Sequence, residues 1–495
     1  MKHKENENAV TTAAKAGRTA FGTRAVILTL IVLAALIAVN LLVSLLPANV
    51  KNIDLTSSGT YTISDAAARA AKKIDEDVTV YYIRESNSEK NLQLETFLER
   101  YAALNSHIKL VHIDPTAQPG FTAGYTDETL YNGSIIVESA KRYRVINYTD
   151  LYYYSFGGQT VKLDDENLAY YQQIYAQYYS SDMPLCFDGQ NKLSSALDFV
   201  TTDTLPNVYL LTGHGESALS ATLTEELTQN NLNVISSLSL LTATSVPADC
   251  DMLVIFAPTS DINTDEAAML LSYLNEGGKI LLATLPGVSK LPNLLSVTSA
   301  WGMEAKDGIV IETNSNQYYP NYPHYLLPTT ETNDATAGLG SLRVMIPMAH
   351  GILQGAAQGK IYQPLFSTSD DSYTVETTST TTEKTETSVA GPLNVAVLST
   401  DETNGGQLCW FSSAYTFTDQ FNSVTGSNYT VFLSLTDDLC QRDSILSAAD
   451  PISLNEDSLV VSASAALIWT AVLVILLPLG VLVAGLVIWF RRRRA

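Results

Sequence analysis

Two stretches near the ends of the chain carry no charged residue, the 22 residues Ala25–Leu46 and the 26 residues Ala465–Phe490. An α-helix rises ~1.5 Å per residue and the hydrocarbon core of a bilayer is ~30 Å thick, so ~20 apolar residues suffice to cross it. Both runs are apolar on every face, which suits lipid better than the one-sided core of a soluble protein. Pro478 lies inside the second run, where a membrane helix tolerates a kink. Lys2, Lys4, Lys15, Arg18 and Arg24 precede the first run and Arg491–Arg494 follow the second, so both termini are expected in the cytoplasm. The first run exceeds the ~7–15 apolar residues of a signal peptide, and Leu46-Pro47-Ala48 makes a poor small-x-small cleavage site; it reads as an uncleaved anchor.

A two-pass membrane protein follows, with cytoplasmic tails at 1–24 and 491–495, spans at 25–46 and 465–490, and the 415 residues Asn49–Ala463 outside the cytoplasm. The first tail holds five of the 29 basic and two of the 51 acidic residues and the last tail four basic ones, leaving 20 basic against 49 acidic outside. That excess of acid repels nucleic acid and anionic headgroups, so no nucleic-acid partner is expected. At ~100–200 residues per domain the exterior has room for two to four domains. Cys186, Cys250, Cys409 and Cys440 are far apart with no CxxC. One or two disulfides are compatible with an oxidising exterior, but no disulfide framework or thiolate metal site is implied.

Residues 49–185 read as a small α/β domain of thioredoxin-like size. Ser64 is placed to cap a helix over Asp65–Ile74, Val78–Ile83 is a strand, Leu92–Leu104 a helix with apolar residues at i, i+3, i+4 and i+7, and Ile108–Asp114 a second strand. Strand, helix and strand of these lengths make a parallel βαβ unit, and Ser134–Glu138 with Tyr143–Tyr148 make a hairpin. Without a CxxC, redox chemistry has no support. Eight tyrosines lie between Tyr152 and Tyr179, several on a helix over Glu166–Tyr178. Such a stripe suits stacking on sugars or aromatic ligands, but packing at a domain interface is the commoner use and is the reading taken. A connecting helix is expected within 186–206.

Residues 207–445 read as a second α/β domain, doubly wound and flavodoxin- or amidotransferase-like in class. Strands at Asn207–Thr212, Asn233–Ser237, Asp251–Phe256 and Lys279–Thr284 alternate with helices over Ala218–Asn230 and after Thr264, the latter closed by Gly277-Gly278. Its last part is β-rich, with strands at Val344–Pro347, Leu393–Leu398 and Gln407–Ser412, a mobile loop at 370–390 and a helix over Phe432–Leu439. The loop contains eight threonines within Thr374–Thr387. A linker, 446–464, returns to the membrane.

Chemistry is scarce in this pattern. Gly278-Lys279 and Gly359-Lys360 lack the rest of GxxxxGK[ST], so no phosphate-cradling loop is present and no cofactor is expected. There is no GxSxG, and Cys250 sits before its strand, the wrong end for a nucleophile at a strand-to-helix turn. The six histidines show neither HxH nor HExxH, so no metal is expected. The candidate ligand-contacting residues are His214, Glu216 and Asp261, all at the carboxyl edge of the second sheet, where α/β proteins bind ligands. With no nucleophile or metal partner beside them, His214 and Glu216 read first as polar residues of a tight glycine turn capping a helix.

Several segments resemble the gliding-motility-type auxiliary components of ABC transport systems, the GldG-like proteins. They are Asp54–Ser64 with its helix and the Asp77–Tyr82 strand, Tyr209–Glu216, Asp251–Asp261 with Tyr273–Lys279, Phe366–Tyr373, and the closing run with Pro478 and its arginine tail. The resemblance implies a bacterial plasma- or inner-membrane protein acting with a separate permease and ATPase, and it brings no catalytic residues. Trp410–Tyr415 departs from the Gly-Asp-Ser-like stretch usual there. The expected function is that of a non-enzymatic, extracytoplasmic auxiliary subunit whose partners are the lipid bilayer, an ABC permease and an ATPase subunit. The alternatives are a membrane-tethered hydrolase using His214 and Glu216, or a glycan-binding or sensory envelope protein.

Overall fold

The computed structural model describes residues 59–442 apart from 157, 158, 338, 340 and 341, together with 54, 56, part of 30–38, 451–454 and 471–494. The chain is mixed α/β. Ser64 caps helix α1 (Asp65–Lys72) by accepting a hydrogen bond from the Ala67 N–H at 3.1 Å, and Ala67 and Ala71 turn inward with no exposure. Strand β1 (Val78–Ile83), helix α2 (Leu92–Ala102) and strand β2 (Ile108–Ile113) form the expected parallel unit. Leu94, Phe97, Leu98 and Tyr101 are the buried face of α2, as their spacing requires. The hairpin β3 (Ile135–Glu138) and β4 (Tyr143–Ile146) adds to β1 on its other side, giving the order β2-β1-β3-β4.

A second, antiparallel sheet follows that the sequence did not suggest. Strands β5 (Tyr152–Phe156), β6 (Gln159–Lys162) and β7 (Leu185–Phe187) are completed by Ile452–Ser453, which pairs with β7. Helix α3 (Leu168–Tyr179) lies between β6 and β7 in the chain. The expected connecting helix is α4 (Gly189–Thr201), and it does more than connect. Ser194 Oγ lies 2.8 Å from the Tyr101 hydroxyl, while the Gln190 side chain bonds Ser64 N and Thr62 O. On the other side, Lys192 donates to Gln229 Oε1 at 2.6 Å and Asp198 accepts from Asn231 Nδ2 at 2.7 Å. The residues through Ser453 accordingly make one compact unit.

The large sheet begins with β8 (Asn207–Leu211), helix α5 (Ala221–Gln229), β9 (Asn233–Leu238), β10 (Met252–Phe256), helix α6 (Thr264–Asn275), β11 (Lys279–Ala283) and helix α7 (Pro292–Ala300). It continues through β12 (Met303–Lys306), β13 (Gly351–Gln354), β14 (Lys360–Ser367), β15 (Asn394–Asp401) and β16 (Gln407–Phe411) to helix α8 (Asn428–Leu439). Strands β9, β8, β10, β11 and β16 are parallel neighbours in that order, and β15, β13 and β12 extend the sheet antiparallel beyond β16. Every residue of β10 and β11 is buried, as expected of central parallel strands covered on both faces. Two expected helix starts shift. Ser220 caps α5, so His214 and Glu216 lie before that helix rather than at its cap. Asn263 caps α6 in place of Thr264, because its side chain accepts from Asp265 N and Glu266 N while Glu266 reaches back to the Asn263 N–H.

Residues 454–495 form a separate unit, in which a π-helical turn, Ala471–Leu476, leads into helix α9 (Leu477–Arg494). No helix among the described residues is long and apolar enough to cross a membrane. The 14 apolar residues Leu477–Phe490 of α9 would reach about 21 Å before its arginines begin. Much of the spans read at 25–46 and 465–490 lies outside the described residues.

Candidate functional site

The carboxyl end of β8 runs into Gly213-His214-Gly215-Glu216, and the carboxyl end of β10 into Ala257–Asp261. The two turns are bonded together. The His214 carbonyl accepts from Thr259 N at 3.1 Å and from Ser260 N at 2.9 Å, and the Thr259 hydroxyl donates to the Gly215 carbonyl at 3.2 Å. Gly215 has φ +73°, and a Cβ there would lie 2.1 Å from Thr259 Oγ1. Gly215→Val should therefore destabilise the chain by about 1–3 kcal/mol, read as a shift in its denaturant midpoint.

This locking presses the His214 ring inward, to 4% exposure. Its Nδ1 lies 3.2 Å from Glu216 Oε1 and its Nε2 lies 3.1 Å from Glu266 Oε2. The second Glu216 oxygen accepts from the His214 N–H at 2.7 Å, and Glu266 Oε2 also accepts from Asn263 N at 2.8 Å. Glu266 Oε1 is buried without a hydrogen-bond partner. The imidazole thus bridges two buried carboxylates, one from its own turn and one from the first turn of α6. Both ring nitrogens lie within hydrogen-bonding distance of a carboxyl oxygen. Among the described residues no three His, Cys, Asp or Glu side chains are arranged to hold a metal ion, this trio included.

Asp261 is placed elsewhere. Its two oxygens accept from Asn293 N at 2.8 Å and Leu294 N at 3.1 Å, at the start of α7, where the helix dipole favours a carboxylate. Of the three candidates from sequence, His214 and Glu216 meet; Asp261 is committed to a helix end. Glu266 is the member that sequence reasoning missed. Its signal was the Asn263-x-x-Glu266 capping box, but its reach to His214 depends on β8 and β10 being neighbours.

A second buried polar group lies in the same sheet. Trp410 Nε1–H donates to Thr284 Oγ1 at 3.0 Å; the Thr284 hydroxyl faces His350 Nε2 at 2.9 Å, and His350 Nδ1 lies 3.0 Å from the Gly351 carbonyl. Read in order, each group donates to the next, and the histidine is neutral. Burial pushes its pKa down to about 4. Trp410, Ser412 and Ser413, in the stretch that departs from the GldG-like pattern, are all core residues.

At the amino-terminal edge of the large sheet a cavity of about 920 Å³ is lined by residues that include Cys250, Tyr273, Lys279 and Cys440. All four cysteines of the chain are unpaired. Burial raises the Cys250 thiol to about 11 and the Cys440 thiol to about 12, which keeps both protonated and poorly nucleophilic near neutral pH.

Residues 205–405 match the family described as an ABC-type uncharacterized transport system, and residues 57–148 match a domain of unknown function. The first match includes His214, Glu216, Asp261 and Glu266. It supports, at the family level, the kinship with auxiliary components of ABC systems. No curated protein matches the chain. Among solved structures, the mmIFT52 N-terminal domain aligns at 15% identity over 48% of this chain and 99% of that one, with a TM-score of 0.39. A putative ThuA-like protein from Bacteroides uniformis aligns at 12% identity over 50% and 98%, with a TM-score of 0.29. Another from Parabacteroides merdae aligns at 10% identity over 49% and 92%, also with a TM-score of 0.29.

Proposed function

We propose that the chain is a GldG-like, non-enzymatic component of an ABC-type transport system, anchored in a bacterial plasma or inner membrane and working outside the cytoplasm with a separate permease and ATPase. The observation that carries this reading is the match of residues 205–405 to the transport-system family. Two features support it. The chain has no GxxxxGK[ST] of its own, so an ATPase in its complex must be another polypeptide. The histidine best placed to act at the sheet edge is held between two glutamates. In this reading β8, β10 and their turns form a rigid docking platform, and the His214 bridge fixes its shape.

The test is affinity purification of the full chain from its native membranes. A permease and an ATPase should be recovered with it in fixed proportion; recovery of the chain alone under mild detergent would overturn the proposal. Topology is checked independently. A cysteine introduced as Thr381→Cys should react with an impermeant maleimide on intact cells, whereas one placed in the 491–495 tail should not. Labelling of that tail in sealed cells would place the carboxyl end outside and end the two-pass reading.

A further inference from the structure

The stretch that leads from Asp54 into α1 and the stretch that ends at Ser453 meet at one place. Asp54 closes a turn, its two oxygens accepting from Thr56 N at 3.0 Å and Tyr61 N at 2.8 Å. The far side of that turn is bound to the start of α4: Gln190 Oε1 accepts from Ser64 N at 2.8 Å, and Gln190 Nε2 donates to the Thr62 carbonyl at 3.1 Å. At the other end, Ile452 and Ser453 pair with Phe187 and Cys186, which lie just before α4 in the chain. Both stretches therefore reach the amino-terminal end of α4.

Helix direction relates that end to the large sheet. Helix α5 follows the carboxyl end of β8 and leads to the start of β9, which is parallel to β8, so α5 runs from the carboxyl edge of the sheet to its amino edge. Helix α4 runs beside it in the same direction. Lys192 and Ser195 each donate to Gln229, the last residue of α5, at 2.6 Å, and further along α4 Asp198 accepts from Asn231 Nδ2 at 2.7 Å. Toward the starts of the two helices, Asp188 and Asn191 share the lining of a cavity of about 300 Å³ with Thr222 and Glu225. The start of α4 is thus level with the carboxyl edge, where His214 and Ser260 lie.

We infer that the carboxyl edge of the large sheet, with its interlocked turns, is the membrane-facing edge and meets the exterior surface of an integral membrane protein. The inference rests on the two-pass anchorage and transport role proposed above. Only residues 47–53 lie between the first apolar run and Asp54, and only 454–464 between Ser453 and the second. Fully extended, the first link spans at most ~30 Å and the second ~45 Å. Two such links fastened at one end of the body hold that end toward the bilayer. The amino edge then lies ~17 Å further out, the length of the five-residue β8 at ~3.3 Å per residue. Charge favours protein over lipid as the contact, because a chain with a formal net charge of −22 is repelled by anionic headgroups.

The test compares the two edges in the full chain. Ser260, in the turn after β10, and Ser245, in the loop before it at the amino-edge cavity, are both exposed. A donor fluorophore is placed on Ser260→Cys or on Ser245→Cys in a Cys440→Ser background, and each chain is reconstituted in phosphatidylcholine vesicles carrying a headgroup acceptor. Energy transfer should be severalfold greater from Ser260→Cys; equal transfer, or more from Ser245→Cys, would overturn the inference. In native membranes a photo-reactive residue at position 260 should cross-link to the permease recovered by affinity purification, and one at position 245 should not. A permease that co-purifies but cross-links through position 245 alone would leave the transport reading standing and overturn this one, as would cross-linking of position 260 to lipid alone. A chain released from vesicles by alkaline carbonate would remove the anchorage and this inference with it.

Discussion

His214→Ala should cost the fold about 2–5 kcal/mol, because it empties a buried site and leaves two buried carboxyl groups without their shared partner. The ring is the bridge between Glu216 and Glu266, whose side chains are 2% and 1% exposed. Without it, Glu216 Oε1 loses its ring contact and Glu266 keeps only the Asn263 N–H on one oxygen, its other oxygen already having no partner. His214→Gln retains an amide able to reach one of the two acceptors and should lose only about 1–3 kcal/mol. Denaturant melts of the two variants should separate them in that order at unchanged m-value. The comparison also tests the non-catalytic reading. Function in cells should follow stability in both variants; a His214→Gln chain that melts like the native one and is wholly inactive would make the ring a participant in chemistry.

Lowering the pH should strip about 3 kcal/mol of stability from the large sheet between pH 6.5 and 4. The cause is His350, whose pKa falls from the ordinary 6.5 to about 4 inside the fold. In that window the unfolded chain takes up a proton that the native chain refuses, so each unit of pH costs up to ~1.36 kcal/mol. The contribution is fully present above pH 6.5 and is lost as the pH falls through about 4. Refusal is built from the surroundings. Nδ1–H is spent on the Gly351 carbonyl, and Nε2 must accept from Thr284, whose oxygen is occupied by the Trp410 N–H. His350→Gln should flatten the pH dependence of the melting temperature over this range. An unchanged slope would mean that the acid sensitivity lies in other groups.

The local signals in the sequence were strong where the fold is local. The alternation of apolar strands with capped helices placed β8, β10, α6 and β11 within a few residues, because a buried parallel strand and a helix cap each need only their own neighbours in the chain. What stayed hidden depends on distant partners. The small antiparallel sheet is made of three- to five-residue strands and a last one of two residues from far downstream, too short for a periodic pattern. The approach of Glu266 to His214 needs β10 to lie beside β8, a pairing of stretches far apart in the chain. His350, Thr284 and Trp410 come from three separate stretches, and nothing in their spacing joins them. His214 and Glu216 were legible as a pair because only one glycine separates them; the bonds from Asp261 to the start of α7 were not, because that helix comes from a separate stretch of the chain.

The pairing of Ile452–Ser453 with β7 gives the chain a mechanical property as well as an architectural one. Tension arriving from beyond Ser453 meets the two-residue ladder against Cys186 and Phe187 before it meets α8 or the large sheet. Two residues of pairing are a small barrier beside the eight-residue strands β14 and β15 that run through the large sheet. Any pull on the chain beyond Ser453 would therefore load this short ladder before the long strands of the large sheet.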